Sequence, residues 1–392
     1  MKIDDGDGNY YLYGMPASLY TAKARSYLRS RRIPYVERIV GHPRYQGEIM
    51  PRIGRLIMPV LETPNGEIIQ DTVDIIDHLE AAYPGPSIYP ATPKQRIVGH
   101  VLEIFGGEGM LRPAMHYRWN FDEDNIPFIA QDFAAGLIFG GDAEARTNVF
   151  NMASDRMRSA AVVFGVTPES AGTIETSYLE FLKLFAAHLE TTPHLLGGRP
   201  CIGDFAFMGP LYPHLARDPN PSRLMKHEAW RVWRWVERMN APVLDAGEYG
   251  DIDEVFFADD EVPETLRALL RYIAEEWVGE IQAQTAHLDA WLGEQQVEEG
   301  EVVGGKPFRR QIGTVSFPWR GQEISTGVFP YRMFVLQRLQ AAFDGLGEPE
   351  RAEVATLMDE LGLSPLLTLR ARRRVERVDN REVWGAEQVP QL

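Results

Sequence analysis

A proline lies inside an apolar segment of this chain, at Met58-Pro59-Val60. Proline removes a hydrogen bond from a sheet ladder, so it is normally excluded from the interior of a strand. The segment therefore predicts a cis bond at Pro59 that turns the backbone outward, toward a ligand. The following strand ends in an acid and a hydroxyl, Asp71 and Thr72, at a predicted helix start. A carboxylate beside the free N–H groups of a helix can hold a small zwitterion.

Composition excludes several classes of protein. The 392 residues suffice for two or three domains and a large core. A net charge of −16 argues against a nucleic-acid partner. A single cysteine, Cys201, excludes an internal disulfide and a Cys-x-x-Cys pair. The nine histidines form no ligand motif, so we expect no metal.

The sequence predicts neither a signal peptide nor a membrane span. Residues 1–7 lack the apolar core of a signal peptide. No stretch approaches the roughly 18 uncharged apolar residues that a membrane span needs. We therefore predict a cytoplasmic protein with no membrane partner.

Residues 1–88 follow the order β-α-β, then β-β-α, which is typical of a thioredoxin-like domain. A short aromatic strand at 9–13 precedes a helix whose predicted N-cap is Ser18, and a strand follows at 34–40. A hairpin turn at Asn65-Gly66 and a helix with Val73 on its apolar face complete the unit. Residues 84–93 are rich in proline and form a predicted linker.

Beyond the linker, three- and four-residue apolar spacing predicts a mostly α-helical protein. We place an all-helical domain at 94–245 and an extension at 246–392, with a β-hairpin near 312–328 and a last pair of helices after it. The basic run at 370–374 is interpreted as a solvated helix face that docks on the acidic stretch 251–261.

Four segments, in this order, resemble the glutathione S-transferase (GST) superfamily over residues 9–245. Residues 12–25 look like its first strand and catalytic turn, and Met58-Pro59-Val60 looks like its cis-proline strand. Asp71-Thr72 is similar to the Glu-Ser pair that grips the γ-glutamyl end of glutathione, and residues 197–205 look like the capping motif of its second domain. The resemblance implies a glutathione transferase fold, glutathione as co-substrate and pairing as a homodimer through the first domain. Residues 246–392 extend beyond the family's usual length, and the alternative is that this extension blocks that surface.

The resemblance implies that Ser18 is the catalytic residue. A thiol has a pKa of about 8.5, so only a few per cent is thiolate at neutral pH. A helix N-terminus and a hydroxyl donor both favour the reactive thiolate. Two alternatives stay open: Ser18 is a simple helix cap, or Tyr13, near the end of the first strand, stabilises the thiolate instead.

The resemblance also assigns the glutathione-binding residues. The backbone of Met58, exposed by the cis bond at Pro59, would bind the cysteinyl part. Asp71 and Thr72 would bind the γ-glutamyl end, although both could be only the cap and first turn of the next helix. Two further candidates follow: Gln70 would assist through its amide, and Arg55 would bind the glycyl carboxylate, although the interval from Gly54 to Pro59 is longer than the family's.

The second substrate would be an apolar electrophile that binds in the second domain, facing Ser18. Methionine and aromatic residues adapt to varied apolar ligands, and they are equally common in cores. The candidates are Met110, Met115, His116, Tyr117 and Trp119. The leading hypothesis is thus a glutathione transferase-like enzyme. The alternative is a non-catalytic binding or scaffold protein of the same fold that uses its extension to contact a partner.

Overall fold

The computed structural model describes residues 8–242, 246–306 and 308–392. Residues 1–7, on which the expectation about a signal peptide rests, lie outside the described residues. So do residues 243–245, at the predicted end of the helical domain, and residue 307.

The N-terminal part is a four-stranded sheet with helices packed on it. Strand order is β2-β1-β3-β4, with β1 parallel to β2 and antiparallel to β3. Leu12 faces the main apolar core together with Tyr27 of α1, whereas Tyr13 faces a separate cluster on the other side. The predicted thioredoxin-like order is confirmed. The elements are β1 (Tyr10–Gly14), α1 (Leu19–Ser30), β2 (Tyr35–Ile39), α2 (Met50–Ile53), β3 (Val60–Glu62), β4 (Ile68–Gln70) and α3 (Thr72–Ala82).

The middle of the chain is helical, as its apolar spacing predicts. Its helices are α4 (Pro93–Ile104), α5 (Leu111–Trp119), α6 (Asp122–Leu137), α7 (Ala143–Val163), α8 (Pro168–His188), α9 (Ile202–Pro210), α10 (Pro219–Glu228) and α11 (Trp230–Asn240). Cys201 precedes α9 and is fully buried, and its N–H donates to Asp204 at 2.9 Å. Burial raises the pKa of the Cys201 thiol well above its ordinary value.

The extension starts with a long helix and contains the predicted hairpin. The hairpin strands span residues 313–328, which confirms the expectation of 312–328. The alternating pattern predicts strands because it turns Phe317 and Ile324 inward onto an apolar cluster. The elements are α12 (Glu264–Glu294), β5 (Gly313–Trp319), β6 (Gln322–Val328), α13 (Tyr331–Asp344), α14 (Glu348–Glu360), α15 (Pro365–Thr368), β7 (Arg373–Val378) and β8 (Arg381–Glu387).

The prediction for the last residues is wrong in two ways. A second hairpin, β7–β8, follows the final helices, and its turn residues Asp379 and Asn380 have φ values of 49° and 65°. The basic run 370–374 therefore leads into a strand and does not form a helix face. The basic run was also expected to dock on residues 251–261, but Arg372 pairs with Asp289 of α12 at 3.0 Å.

One continuous apolar core joins the N-terminal sheet, the middle helices and the extension. The predicted division at 1–88, 94–245 and 246–392 stays a prediction. α13 and α14 pack on α4, and Arg338 of α13 pairs with Asp77 of α3 at 2.6 Å. The extension thus covers one side of the N-terminal part.

A buried cluster of charges ties the extension to the rest of the chain. Arg332 of α13 donates to Glu108 at 3.3 Å and to Glu280 of α12. Arg112 of α5 binds the second oxygen of Glu280, and Tyr20 of α1 donates to Glu108 at 2.9 Å. Buried charges need such complete pairing, because removing one partner leaves an uncompensated ion.

Candidate functional site

Ser18 lies where β1 gives way to α1. Its Oγ accepts the N–H of Thr21 at 3.3 Å, so it caps the helix as predicted. The side chain is half-buried, and a hydroxyl that accepts one bond still has its proton to donate. The N-terminus of the 12-residue helix adds a partial positive charge. Both features favour an anion next to Ser18.

The Met58–Pro59 peptide bond is cis, as predicted. The half-buried Met58 side chain packs against a cluster that includes Met15 and Met115, which we call the methionine cluster. Because Met15 and Ala17 precede Ser18 and belong to the same cluster, Ser18 and Met58 border one apolar region. The cluster consists of Met15, Ala17, Met115, Trp119, Ile129, Phe133, Phe150, Ala161, Val166, Ile174, Phe317, Trp319 and Ile324.

Tyr13 is engaged on the other face of the sheet. Its hydroxyl donates to Glu62 at 2.9 Å and accepts from Arg38 at 3.3 Å. Burial raises the pKa of Tyr13 to about 12; Arg38 opposes this rise and Glu62 adds to it. A fully buried tyrosine bound to a carboxylate is poorly placed to donate to a thiolate at the α1 N-terminus.

Gln70, Asp71 and Thr72 meet at the junction of β4 and α3. Asp71 caps α3 by accepting the N–H of Val73 at 3.0 Å, so the capping alternative is realised. Its backbone has φ 93° and ψ 140°, a conformation that L residues rarely adopt. Such strained residues concentrate at ligand clamps and active sites, which keeps Asp71 a functional candidate.

The extension contacts this junction directly. The Tyr331 hydroxyl donates to Asp71 Oδ1 at 2.8 Å. The Gln70 N–H donates to Asn380 Oδ1 at 2.7 Å, and Arg377 donates to the Gln70 carbonyl at 2.6 Å. Gln70, Asp71 and Thr72 are only 2%, 9% and 2% exposed as a result.

Arg55 is buried and paired with the extension as well. Its guanidinium donates to Glu382 at 3.1 Å and to the Gln70 side-chain oxygen at 3.1 Å. Burial lowers the pKa of Arg55, against the opposing attraction of Glu382. The residue expected to bind a glycyl carboxylate therefore binds a carboxylate of its own chain.

Glu382 is the centre of a charged group that sequence reasoning missed. It pairs with Arg55, with Arg310 at 3.0 Å and with Arg377 at 3.0 Å. Burial on its own raises the pKa of Glu382, but Arg310 and Arg55 overcome this and lower it to about 2. The one available signal was the Asp379-Asn380 turn between alternating residues, which indicates a hairpin.

The residues predicted to line an electrophile pocket are all buried. Met110 and Tyr117 belong to the main core, and Met115 and Trp119 belong to the methionine cluster. His116 binds Glu175 at 3.0 Å and Asn120 at 2.8 Å. Met115 and Trp119 thus share an apolar cluster with Met58.

Two searches of the described chain gave no candidates. Across residues 8–242, 246–306 and 308–392, no group of three or more His, Cys, Asp or Glu side chains could hold a metal ion. No described helix is long and apolar enough to cross a bilayer.

Comparison with known families identifies the N-terminal part. Residues 12–87 match the family described as "Glutathione S-transferase, N-terminal domain". The resemblance to the GST superfamily is therefore confirmed, and this chain carries a thioredoxin-like GST domain followed by a largely helical part. No curated protein matches the chain.

Solved glutathione transferases are similar to part of the chain. Glutathione transferase GSTFuA3 from Phanerochaete chrysosporium has 15% identity and a TM-score of 0.42, over 61% of this chain and 99% of its own. Beta-etherase LigF from Sphingobium sp. strain SYK-6 has 18% identity and a TM-score of 0.42, over 62% and 97%. A glutathione S-transferase from Methylobacterium radiotolerans, in complex with glutathione sulfonate, has 18% identity and a TM-score of 0.35, over 65% and 100%. Such low values do not establish a shared function.

Proposed function

We propose that this protein is a glutathione transferase-like enzyme that activates the glutathione thiol at Ser18. The thiol proton goes to solvent, and the Ser18 hydroxyl and the α1 N-terminus stabilise the thiolate. The sulfur then attacks an electrophilic carbon of an apolar substrate. A sulfur–carbon bond forms, and the electron pair of the broken bond leaves with the displaced group.

The observation that carries the proposal is the half-buried Ser18 hydroxyl at a helix N-terminus, bordering the methionine cluster. That position offers an anion site and an apolar region side by side, as attack of a thiolate on an apolar electrophile requires. The strained backbone of Asp71 is a second, independent support.

In this proposal the Met58 backbone binds the cysteinyl part of glutathione, and Asp71 and Thr72 bind the γ-glutamyl end. Gln70, Asp71 and Arg55 are engaged by the extension, so they contribute when those contacts open. The cytoplasmic setting stays part of the proposal. So does a homodimer, which would need a surface other than the α3–α4 side that α13 and α14 cover.

A second candidate is a non-catalytic protein of the same fold. The specific observation in its favour is that Arg55, Gln70 and Asp71 all hydrogen-bond to residues of the extension. On this view the extension has replaced the ligand and offers its outer surface to a partner.

Calorimetric titration with reduced glutathione, followed by turnover with chlorodinitrobenzene, separates the two candidates. Saturable binding and a glutathione-dependent rate support the enzyme. Saturable binding without turnover of this or other electrophiles would overturn the enzyme proposal, and it would also contradict the replacement of the ligand by the extension. No heat and no thermal stabilisation at millimolar glutathione favours the non-catalytic protein, in which the extension has replaced the ligand.

A further inference from the structure

Four residues of the extension close one end of the predicted glutathione site, and we call them the latch. Tyr331 begins α13, and Arg377, Asn380 and Glu382 belong to the β7–β8 hairpin. The Asn380 side chain makes two bonds to β4: it accepts the Gln70 N–H and donates to the Ile68 carbonyl at 3.1 Å. An amide that both donates and accepts in this way imitates the peptide group of an added strand. The latch therefore covers the open edge of the sheet.

Among the described residues, the closed arrangement leaves only a small cavity beside Thr72. A cavity there, lined in part by Tyr20, Glu108 and Tyr331, has a volume of about 10 Å³. That is about enough for a single water molecule. A tripeptide can reach Asp71 and Thr72 only if Tyr331 or the hairpin moves.

The chemistry of the latch matches the chemistry of the ligand it excludes. Asp71, expected to bind an ammonium group, accepts the Tyr331 hydroxyl. Arg55, expected to bind a carboxylate, binds the carboxylate of Glu382. The latch thus supplies a donor where the ligand has a donor, and an anion where the ligand has an anion.

We propose that the latch competes with glutathione for Asp71 and Arg55, and that glutathione binds there when the latch leaves. This inference rests on the proposed function. If the open state is a minor fraction of the molecules, the apparent Kd equals the intrinsic Kd divided by that fraction. Weakening the latch therefore tightens apparent binding without changing any residue that touches glutathione.

The test uses the full chain carrying Tyr331→Phe and Asn380→Gly together. Phenylalanine removes only the hydroxyl that binds Asp71. Glycine accepts the positive φ of residue 380, so the turn is kept while both bonds to β4 are lost. The matched control is Glu387→Gln on β8, where the 79% exposed side chain pairs with Arg373 at the surface.

Two readouts keep this inference separable from the proposed function. Amide hydrogen exchange of residues 68–73, measured without ligand, reports opening of the latch, because the Gln70 N–H has lost its acceptor. Calorimetry with reduced glutathione reports binding. We expect faster exchange in the double variant and an apparent Kd at least roughly tenfold lower than in the wild type or the control.

Each other outcome has a defined meaning. Saturable binding with the same Kd in all three proteins, while exchange rises, would overturn the latch and leave the proposed function standing. No binding by any of them, although exchange rises, would overturn the proposed function and with it the competition. Unchanged exchange would overturn the role of Tyr331 and Asn380 in holding the hairpin, whatever the affinities.

Discussion

The predicted glutathione site has two halves with different surroundings. The first, Ser18 with Met58 and Pro59, lies among residues of the GST domain and the methionine cluster and is partly exposed at Ser18 and Met58. The second, Arg55 with residues 70–72, is bound by Tyr331, Asn380 and Glu382 of the extension. The same domain therefore leaves one half of the predicted site partly exposed, whereas the other half binds residues of its own chain. Residue types suited to a ligand are equally suited to a segment that carries the same donors and charges.

The largest effect is expected in the buried charge cluster that holds α13, and with it the enclosed half, in place. Replacing Arg332 by methionine leaves Glu108 without its guanidinium and Glu280 with Arg112 alone. Removing one partner of such a buried cluster costs about 3–5 kcal/mol. We expect a loss of that size in the free energy of unfolding, measured in urea.

The matched control for Arg332 is Arg271→Met, which breaks an exposed pair with Glu264. Exposed pairs contribute about 1 kcal/mol or less, so this variant should unfold close to wild type. Equal losses in the two variants would show that the buried cluster does not hold the extension to the body.

The second test concerns pH and the enclosed half. Glu382 has a pKa of about 2 in the folded protein, below the roughly 4.3 of an unfolded chain. A lowered pKa stabilises the fold above the unfolded value, and this contribution is lost as the pH falls from about 4 toward 2. This difference in pKa between the unfolded and the folded protein corresponds to about 3 kcal/mol of folding free energy. We expect Glu382→Gln to be destabilised at neutral pH and to converge with wild type near pH 2.

Urea unfolding of both proteins across this pH range measures the convergence, and Glu387→Gln serves as the surface control. A constant gap between Glu382→Gln and wild type at every pH would contradict the assignment, because the gap would then not depend on ionisation of Glu382.

The third test concerns the open half. If Ser18 stabilises the thiolate, Ser18→Ala should lower kcat by about one to two powers of ten, since each unit of thiol pKa corresponds to about 1.4 kcal/mol. The affinity for glutathione should change little, because other residues bind the peptide. Steady-state kinetics and calorimetry on the same preparations separate the two quantities.

Loss of the helix cap is the competing explanation for any effect at Ser18, and it costs about 1 kcal/mol. Ser18→Asp keeps a capping oxygen but cannot donate to a thiolate, whereas Ser18→Thr keeps both functions. A slow Asp variant with a near-normal Thr variant supports thiolate stabilisation. If Asp is as active as wild type, Ser18 is only a cap.

The open half was predictable because its signals are local. The aromatic segment of β1, the cap at Ser18 and the proline at 59 all lie within short segments that specify one unit of structure. The hairpin at 313–328 was predictable for the same reason, since Phe317 and Ile324 alternate with polar residues.

The enclosed half was not predictable, because its contacts join residues far apart in the chain. Tyr331 lies 260 positions from Asp71, and Glu382 lies 327 positions from Arg55. The β7–β8 hairpin was missed because charged side chains such as Arg377 and Glu382 stand at buried strand positions and weaken the apolar alternation. Those charges are buried only because their partners come from other segments.

The smallest effect is expected at Tyr13, and the test shows whether Tyr13 belongs to the open half of the predicted site. Tyr13→Phe removes the hydroxyl that donates to Glu62, while Arg44 continues to bind that carboxylate. The free energy of unfolding should fall by about 1 kcal/mol, the usual contribution of one hydrogen bond. Turnover with glutathione should stay at the wild-type value, because the Tyr13 hydroxyl is already bound to Glu62 and Arg38. A loss of kcat comparable to that of Ser18→Ala, with stability unchanged, would assign the stabilisation of the thiolate to Tyr13 and not to Ser18.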